Sequence, residues 1–283
     1  MLLIILLIMH LLVIPWDVNP EIFRIGPVVV RWYGLLFASS FLFGYIILNR
    51  IFKNENLAES VLDRLTVYVA IGVIAGARLG HVLFYEPGYY LSHPIEILKI
   101  WHGGLASHGA AIGILIALWL FVRKEKKDYT WVIDRVAIVV ALSGLFIRTG
   151  NLMNSEIYGV ETTVPWGFIF LSKGETVPKH PTQIYEALTY LFIFILLYRI
   201  YWRKKGEYIQ GVLISLTLIL IFTSRFFIEF LKEDQVAFES GMKLNMGQLL
   251  SIPFVIAGFI WLYISLKQKK RITIKRKSVE RKA

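Results

Sequence analysis

Residues 146–159 read F-I-R-T-G-N-L-M-N-S-E-I-Y-G, and the rest of the chain is organised around this stretch. An apolar run of membrane length ends here, and polar side chains follow one another at its end: Arg148, Asn151, Asn154 and Glu156. Ionisable residues inside a membrane segment are costly and usually mark a functional site. A helix that leaves the bilayer through these groups is therefore predicted to hold a polar molecule, most simply an anion, at the membrane surface.

The composition is that of a membrane protein. Of the 283 residues, 56% are hydrophobic and 14% aromatic, and the mean hydropathy is +0.60. Ordinary soluble domains are less apolar, whereas a bilayer core of about 30 Å requires about 20 apolar residues per helix. Seven runs approach that length: Val28 to Ile51, Leu65 to Tyr85, Leu105 to Val122, Trp131 to Asn151, Thr182 to Tyr201, Ile209 to Leu231 and Gly247 to Leu266. The sequence predicts an all-α polytopic membrane protein with seven transmembrane helices.

The basic residues predict the orientation of these helices. One set of loops, together with the tail, carries 20 lysines and arginines, and the opposite set carries 7. Because basic loops stay in the cytoplasm, we expect the amino terminus outside and the carboxyl terminus in the cytoplasm. This divides the chain into an apolar, interfacial segment at 1–27, a transmembrane domain at 28–266 with an outer loop at about 155–179, and a basic tail at 267–283.

The two ends of the chain are expected to lie at the membrane surface. Residues Met1 to Ile14 are almost wholly apolar, but as a helix they would reach only about 21 Å. They also lack the basic start and small-residue cleavage site of a signal peptide. They are either an interfacial segment or the product of a gene start placed too early. The basic tail is interpreted as a cytoplasmic anchor that attracts anionic lipid rather than as a nucleic-acid-binding segment.

A stripe of glycines runs along the second predicted helix. Gly72, Gly76 and Gly80 recur every four residues and therefore lie on one helix face. Small residues at this spacing let two membrane helices approach closely. We expect a packing face here rather than a site of chemistry.

Of the arginines in the predicted membrane segments, three are singled out as candidates for a site: Arg78, Arg148 and Arg225. Each costs about 2.5 to 3.5 kcal/mol to insert at the centre of a membrane helix, so each needs a structural or functional explanation. In the predicted topology all three lie in the outer half of the membrane. Glu229 follows Arg225 by four residues, a spacing at which the two side chains can pair on one helix face.

Other polar groups are predicted at the same depth. His108 lies near the outer end of the third helix and Tyr33 near that of the first. Together with the arginines they predict a shared polar cavity with surplus positive charge, which suits a phosphate-bearing lipid because guanidinium groups bind phosphate through two hydrogen bonds. His108 could equally be a packing histidine or a base. The histidines show no i, i+4 pair and no H-E-x-x-H, so we expect neither a metal nor a cofactor.

Two other classes of protein remain open at this point. A transporter or flippase for an anionic solute or lipid would also place arginines in membrane helices, but its site is expected near the midplane, often between inverted repeats. No internal repeat is detectable. A structural membrane protein would use the glycine stripe as its interface, which leaves Arg148 and Arg225 without a purpose.

The motif R-T-G-N-L-M-N-S-E-I-Y-G resembles the R-x-G-N-F-x-N-x-E-x-x-G motif of the bacterial prolipoprotein diacylglyceryl transferases. Further stretches resemble that family in the same order, from about Trp16 to Leu266: R-W-Y-G-L-L-F at Arg31, G-A-R-L-G-H-V-L-F-Y at Gly76, G-G-L-A-S-H-G at Gly103, H-P-T-Q-I-Y-E at His180 and S-R-F-F-I-E-F at Ser224.

The resemblance implies a multi-pass enzyme of the bacterial inner membrane. Such an enzyme transfers the diacylglyceryl group of phosphatidylglycerol to the lipobox cysteine thiol of a prolipoprotein, forming a thioether and releasing glycerol phosphate. Carried over by position, the catalytic residues are His108, Arg148 and Arg225. The residues that bind phosphatidylglycerol are Arg148, Asn151, Asn154, Glu156, Gly159, Tyr33, Arg78 and Glu229.

The chemistry of the residues agrees with this resemblance. The chain has no cysteine, so any thiol must come with the substrate. A thiol with a pKa of about 8.5 attacks well only as thiolate, and a departing phosphate is stabilised by cations. We therefore expect His108 to remove the proton, directly or through water, and Arg148 and Arg225 to bind the phosphate.

Overall fold

The computed structural model of the chain describes residues 13–26, 28–100, 103–233 and 241–269. Most of the expectations for Met1 to Ile14 and for the basic tail lie outside these residues. Within the described ranges, seven helices are long and apolar enough to cross a membrane, which confirms the predicted fold class. They are α1 (Trp32–Asn54), α2 (Glu59–Phe84), α4 (Ser107–Glu125), α5 (Tyr129–Met153), α6 (Thr182–Arg203), α7 (Val212–Ile228) and α8 (Met246–Gln268). A short helix, α3 (Pro87–Ser92), follows α2.

The chain divides into two compact units. Unit 1 takes in the described residues up to Ile47 and those from Val136 onward, and unit 2 is Leu48–Arg135. Helices α1 and α5 each contribute to both units.

Unit 2 contains the closest helix packing. A Cβ atom on Gly72 would lie 2.6 Å from the carbonyl oxygen of Gly113, and one on Gly80 would lie 2.7 Å from the Cα of Gly109. These distances are too short for any side chain, so α2 and α4 are in backbone contact along the glycine stripe. The predicted packing face is confirmed, and its partner is the matching pair of glycines on α4.

Unit 2 also contains a buried arginine that the sequence analysis did not single out. Arg135 is fully buried and forms an ion pair with Glu55, with Nη2 and Oε1 2.7 Å apart. The same carboxylate accepts a hydrogen bond from the indole of Trp131 at 3.0 Å. A buried charge needs a partner of this kind because desolvation is costly, and the pairing indicates a structural role.

The start of the first membrane helix was predicted wrongly. Val28 to Arg31 were assigned to the span, but they form strand β3 (Val28–Arg31), which pairs antiparallel with β2 (Glu21–Ile25). Three consecutive valines favour a strand because their branched side chains fit a pleated surface. The helix begins only at Trp32.

The amino-terminal segment contacts the loop between α5 and α6 in unit 1. Strand β1 (Ile14–Trp16) pairs in parallel with β4 (Phe168–Phe170). Trp16 packs on Phe168 with ring centroids 5.2 Å apart and donates a hydrogen bond to the carbonyl of Leu152 at 3.0 Å. These contacts fix the carboxyl-terminal end of α5, where the polar motif lies.

Candidate active site

Arg148 lies on the face of α5 that meets α6. Its Nε lies 2.9 Å from Oε2 of Glu186, an ion pair that lacks the alignment of a hydrogen bond. Its Nη1 donates to Oδ1 of Asn151 at 3.3 Å, and the guanidinium lies near the hydroxyl of Tyr190. One turn before the arginine, a Cβ on Gly144 would lie 2.6 Å from the Tyr190 ring. The glycine therefore makes room for the tyrosine beside the guanidinium.

The charges continue from Glu186 to the end of α7. The ammonium of Lys232 donates to Oε1 of Glu186 at 3.0 Å and to Oε2 of Glu229 at 3.3 Å. Glu229 in turn lies 3.9 Å from Nε of Arg225. The five side chains form an alternating series of ion pairs, Arg148–Glu186–Lys232–Glu229–Arg225, which we call the charge chain.

The charge chain is buried at its centre and open at one end. The side chains of Glu186, Lys232 and Glu229 are 1%, 2% and 5% exposed, whereas that of Arg225 is 34% exposed. Within the described residues, Arg225 donates no hydrogen bond. Three cations face two carboxylates, so the ionised charge chain carries one surplus positive charge and can accept a monoanion at Arg225.

The carboxylate of Glu229 is held from a third side by α8. A Cβ on Gly247 would lie 2.7 Å from Oε2 of Glu229, so only glycine lets the first turn of α8 approach this group. Asn245 caps that turn by accepting a hydrogen bond from the backbone of Gln248 at 2.9 Å. The amino end of a helix carries partial positive charge, so the first turn of α8 presents a charge complementary to this side chain.

Residues 154–159, which follow α5 and which we call the motif loop, include positions with a backbone conformation that most residues avoid. Ser155 and Ile157 have φ angles of 52° and 60°, and a β-branched residue in this region is an outlier. Two side chains of α6 hold the loop: Thr182 donates to the carbonyl of Ile157 at 2.8 Å, and Gln183 donates to that of Glu156 at 2.7 Å. Strain of this kind persists only where surrounding contacts impose it, and it is common at functional sites.

Gly159 brings the motif loop against the end of α7. Its backbone amide donates to the carbonyl of His180 at 2.8 Å, and it forms an isolated β-bridge with Lys232. A Cβ at this position would overlap the carbonyl oxygen of Leu231 and lie 2.7 Å from the Cβ of His180. The motif glycine therefore positions the backbone that carries Lys232.

Two buried amide oxygens near the motif lack a donor within the described residues. They are Oδ1 of Asn154 and Oε1 of Gln183. The amide nitrogen of Asn154 donates to Glu156 at 3.3 Å, so this amide is already oriented. Buried polar atoms are rarely left unpaired, and these two are available to hydroxyl donors of a ligand.

Tyr33 lies in the first turn of α1 and packs on α5. A Cβ on Gly150 would lie 2.8 Å from Cδ2 of the Tyr33 ring. Gly150 lies two residues after Arg148 and one residue before Asn151, so the tyrosine packs on α5 beside these two side chains.

The remaining two predicted site residues lie in unit 2. Arg78 is 3% exposed, and its guanidinium donates to the backbone carbonyls of Ile97 at 2.9 Å, Gly103 at 2.6 Å and Gly104 at 3.2 Å, and to that of Glu96. His108 is an exposed residue in the first turn of α4, and its ring lies 5.3 Å from that of Phe84. Within the described ranges His108 forms no hydrogen bond.

Two titratable groups beside the motif loop have shifted pKa values. Burial lowers the pKa of His180, whose Nδ1 lies 3.1 Å from the hydroxyl of Tyr185. A hydrogen bond to Glu233 raises the pKa of Lys179, with Nζ and Oε1 2.6 Å apart. His180 is therefore neutral and Lys179 charged at neutral pH. Among the described residues, no three carboxylate or histidine side chains are placed to hold a metal ion.

The sequence analysis missed three members of this cluster: Glu186, Tyr190 and Lys232. The first two follow Gln183 at the helical spacing of one face of α6, a signal that could have identified them. Lys232 was counted only as a loop charge that sets topology. Its position three residues after Glu229 is the signal that it pairs with that carboxylate.

Comparisons with known proteins identify the family of this chain. A sequence profile described as "Prolipoprotein diacylglyceryl transferase" matches residues 20–264. A protein of Tolumonas auensis named phosphatidylglycerol–prolipoprotein diacylglyceryl transferase is 49% identical over 257 residues, which cover 90% of this chain and 99% of the relative. Proteins of the same name from Porphyromonas gingivalis and Chloroherpeton thalassium are 47% and 43% identical, and each alignment covers 89% of this chain and 94% of the relative.

Proposed function

This chain belongs to the prolipoprotein diacylglyceryl transferase family and is a membrane transferase that moves the diacylglyceryl group of phosphatidylglycerol to prolipoproteins, and we propose that the charge chain binds the phosphate of that lipid. The surplus positive charge beside Arg225 carries this proposal. A phosphodiester has one negative charge, so the occupied site is electrically balanced. The names of the relatives give no support to the transporter alternative.

The reaction breaks one bond and forms another at a single carbon. The sulfur of the lipobox cysteine attacks the glyceryl carbon that carries the phosphate ester, and a carbon–sulfur bond forms. The bond between that carbon and the ester oxygen breaks, and the glycerol phosphate leaves with the electron pair. The thiol proton passes to a base. The products are a thioether-linked diacylglyceryl peptide and glycerol phosphate.

The arginines stabilise the leaving group. The guanidinium of Arg225, which donates no hydrogen bond within the described residues, can offer two parallel N–H groups to phosphate oxygens. Arg148 holds the second side of the phosphate, and its ion pair with Glu186 at 2.9 Å fixes its orientation. Preorganised donors of this kind act most strongly where charge develops in the transition state.

The motif residues bind the rest of the lipid headgroup. The glycerol of phosphatidylglycerol has two free hydroxyls, which can donate to the unpaired oxygens of Asn154 and Gln183. Asn151 and Glu156 orient Arg148 and Asn154 through hydrogen bonds of 3.3 Å each. Gly159 keeps the loop close to α7, as its contact with Leu231 requires.

His108 is the base in this proposal. Its ring is exposed, and it forms no hydrogen bond within the described part of the chain, so its nitrogens are available to a thiol or a water molecule. Tyr33 contributes to lipid binding by packing on α5 at Gly150 and so holding the motif in place. Arg78 supports lipid binding indirectly in this proposal, by holding the backbone carbonyls of Glu96, Ile97, Gly103 and Gly104 in place.

The protein is a multi-pass membrane protein of a bacterial family, and we place it in the inner membrane with the charge chain towards the outer leaflet. Membrane lipids supply the donor, and the lipobox supplies the acceptor cysteine.

An end-point transfer assay tests the proposal. Purified protein is mixed with phosphatidylglycerol and a lipobox peptide, and the peptide mass is read for wild type, Arg148→Ala, Arg225→Ala and Arg24→Ala. Arg24 is the matched control, because its side chain is 61% exposed and pairs with Glu21 outside the charge chain. We expect a diacylglyceryl adduct from wild type and the control, and a loss of about a hundredfold or more in rate from the other two. Wild-type rates from folded Arg148→Ala and Arg225→Ala would overturn the assignment of the phosphate site.

A further inference from the structure

Lys232 is the centre of the charge chain, and the motifs of the sequence analysis give it no role. Its side chain is 2% exposed and contacts two carboxylates that come from different parts of the chain. Glu186 is 46 residues away on α6, whereas Glu229 precedes Lys232 by only three residues. A single ammonium therefore joins α6 to the end of α7.

The backbone of Lys232 is fixed as well. It ends a short 3-10 helix, Glu229–Leu231, in an extended conformation, and it forms a β-bridge with Gly159 of the motif loop. The neighbouring carbonyl of Leu231 accepts a hydrogen bond from the amide of Val160 at 2.9 Å. The ammonium thus has little freedom to move relative to either carboxylate.

Each carboxylate that Lys232 binds also holds one arginine. Glu186 lies 2.9 Å from Arg148, and Glu229 lies 3.9 Å from Arg225. Without the ammonium, each buried carboxylate would be left with its arginine as its main partner. Because an unpaired buried charge is costly, each arginine would then be drawn towards its carboxylate and away from an incoming phosphate.

We propose that Lys232 is a positioning residue that sets the spacing and availability of the two arginines for the lipid phosphate. It does not touch the reacting atoms in this arrangement. Its ammonium shares the negative charge of both carboxylates and so leaves guanidinium donors free. This inference rests on the proposed function of the charge chain.

The test separates phosphatidylglycerol binding from other effects. Initial rates of peptide lipidation are measured for wild type and Lys232→Gln while the concentrations of phosphatidylglycerol and of lipobox peptide are varied in turn. We expect kcat/KM for phosphatidylglycerol to fall by about a hundredfold, through a higher KM, a lower kcat or both. Small misplacements of binding groups have effects of this size. The KM for the peptide should stay within about threefold of the wild-type value. A general structural defect would instead raise the KM for both substrates.

Two further variants distinguish the loss of the Lys232 ion pairs from a folding defect. Lys232→Arg keeps the charge and can reach both carboxylates, so it should recover most of the lost activity. The double variant Glu186→Gln/Lys232→Gln restores the net charge of the charge chain but lacks the ion pair at its centre. We expect this variant to fold but to keep a low kcat/KM for phosphatidylglycerol. Wild-type kinetics from this double variant, or from folded Lys232→Gln, would overturn the inference.

Lys179→Met is the matched control. Lys179 is also a buried lysine with a carboxylate partner, with 2.6 Å between its Nζ and Glu233, but it lies outside the charge chain. We expect a lower melting temperature with an unchanged KM for phosphatidylglycerol. An equal rise in that KM in both lysine variants would refute a specific role for Lys232. Absence of transfer by the wild type would instead refute the proposed function.

Discussion

The substitution Gly159→Ala tests how tightly the motif loop must pack on α7. An added Cβ would overlap the carbonyl oxygen of Leu231 and lie 2.7 Å from the Cβ of His180 and 2.8 Å from Cγ2 of Thr182. Carbon atoms in contact prefer about 3.5 to 4.0 Å, so the loop and α7 must separate by roughly 1 Å. Because Leu231 precedes Lys232, this shift stretches the 3.0 and 3.3 Å bonds of the ammonium.

We expect Gly159→Ala to lose about 1 to 3 kcal/mol of stability through overpacking and about a hundredfold in kcat/KM through misplacement of the charge chain. Melting temperature and initial rates of peptide lipidation measure the two effects. Gly88→Ala is the control, because a Cβ on Gly88 meets nothing within 4 Å, and it should match wild type in activity. A Gly159→Ala protein with wild-type stability and rate would refute the tight contact.

Three other predictions follow from separate parts of the structure. Gly76→Ala should destabilise unit 2 by about 1 to 3 kcal/mol, seen as a lower melting temperature, because its Cβ would lie 2.8 Å from the Cα of Gly113. Burial lowers the pKa of His180, so the fold favours the neutral ring and loses stability as pH falls below about 6.5. The melting temperature of wild type should therefore drop more between pH 7 and pH 5 than that of His180→Gln, and parallel curves would contradict this. Asn154→Leu and Gln183→Leu should lower the preference for phosphatidylglycerol over phosphatidic acid in competition assays, whereas an unchanged preference would exclude the proposed hydroxyl contacts.

The membrane architecture could be predicted from the sequence because the bilayer imposes a strong local rule. A span must be apolar over about 20 residues and must satisfy its own backbone hydrogen bonds, so each helix is identifiable from its own residues. The glycine stripe on α2 was predictable for the same reason, since its four-residue spacing is a property of one helix. The error at Val28 to Arg31 has a local cause as well, because hydropathy does not distinguish an apolar strand from the start of an apolar helix.

Part of the candidate site could also be predicted from local spacing. Arg148 and Asn151 lie within one turn, and Arg225 and Glu229 are four residues apart; both pairs are in contact in the structure. The roles of His108, Tyr33 and Arg78 stay predictions. The structure adds that the guanidinium of Arg78 donates to backbone carbonyls. The sequence could not indicate this, because every residue has a backbone carbonyl and the residue types therefore do not identify the acceptors.

By itself, the sequence determined the seven membrane helices, the polar exit of α5 and the family to which the chain is similar. Only the tertiary structure decided how charges on different elements pair. Glu186 and Lys232 are far apart in the chain and meet because α6, the motif loop and the end of α7 pack together. Ion pairing depends on distances of a few ångströms in three dimensions, whereas hydropathy and helical spacing report only on neighbours along one element. For that reason the arginines could be recognised from the sequence, but the bridge from Lys232 to the distant Glu186 could not.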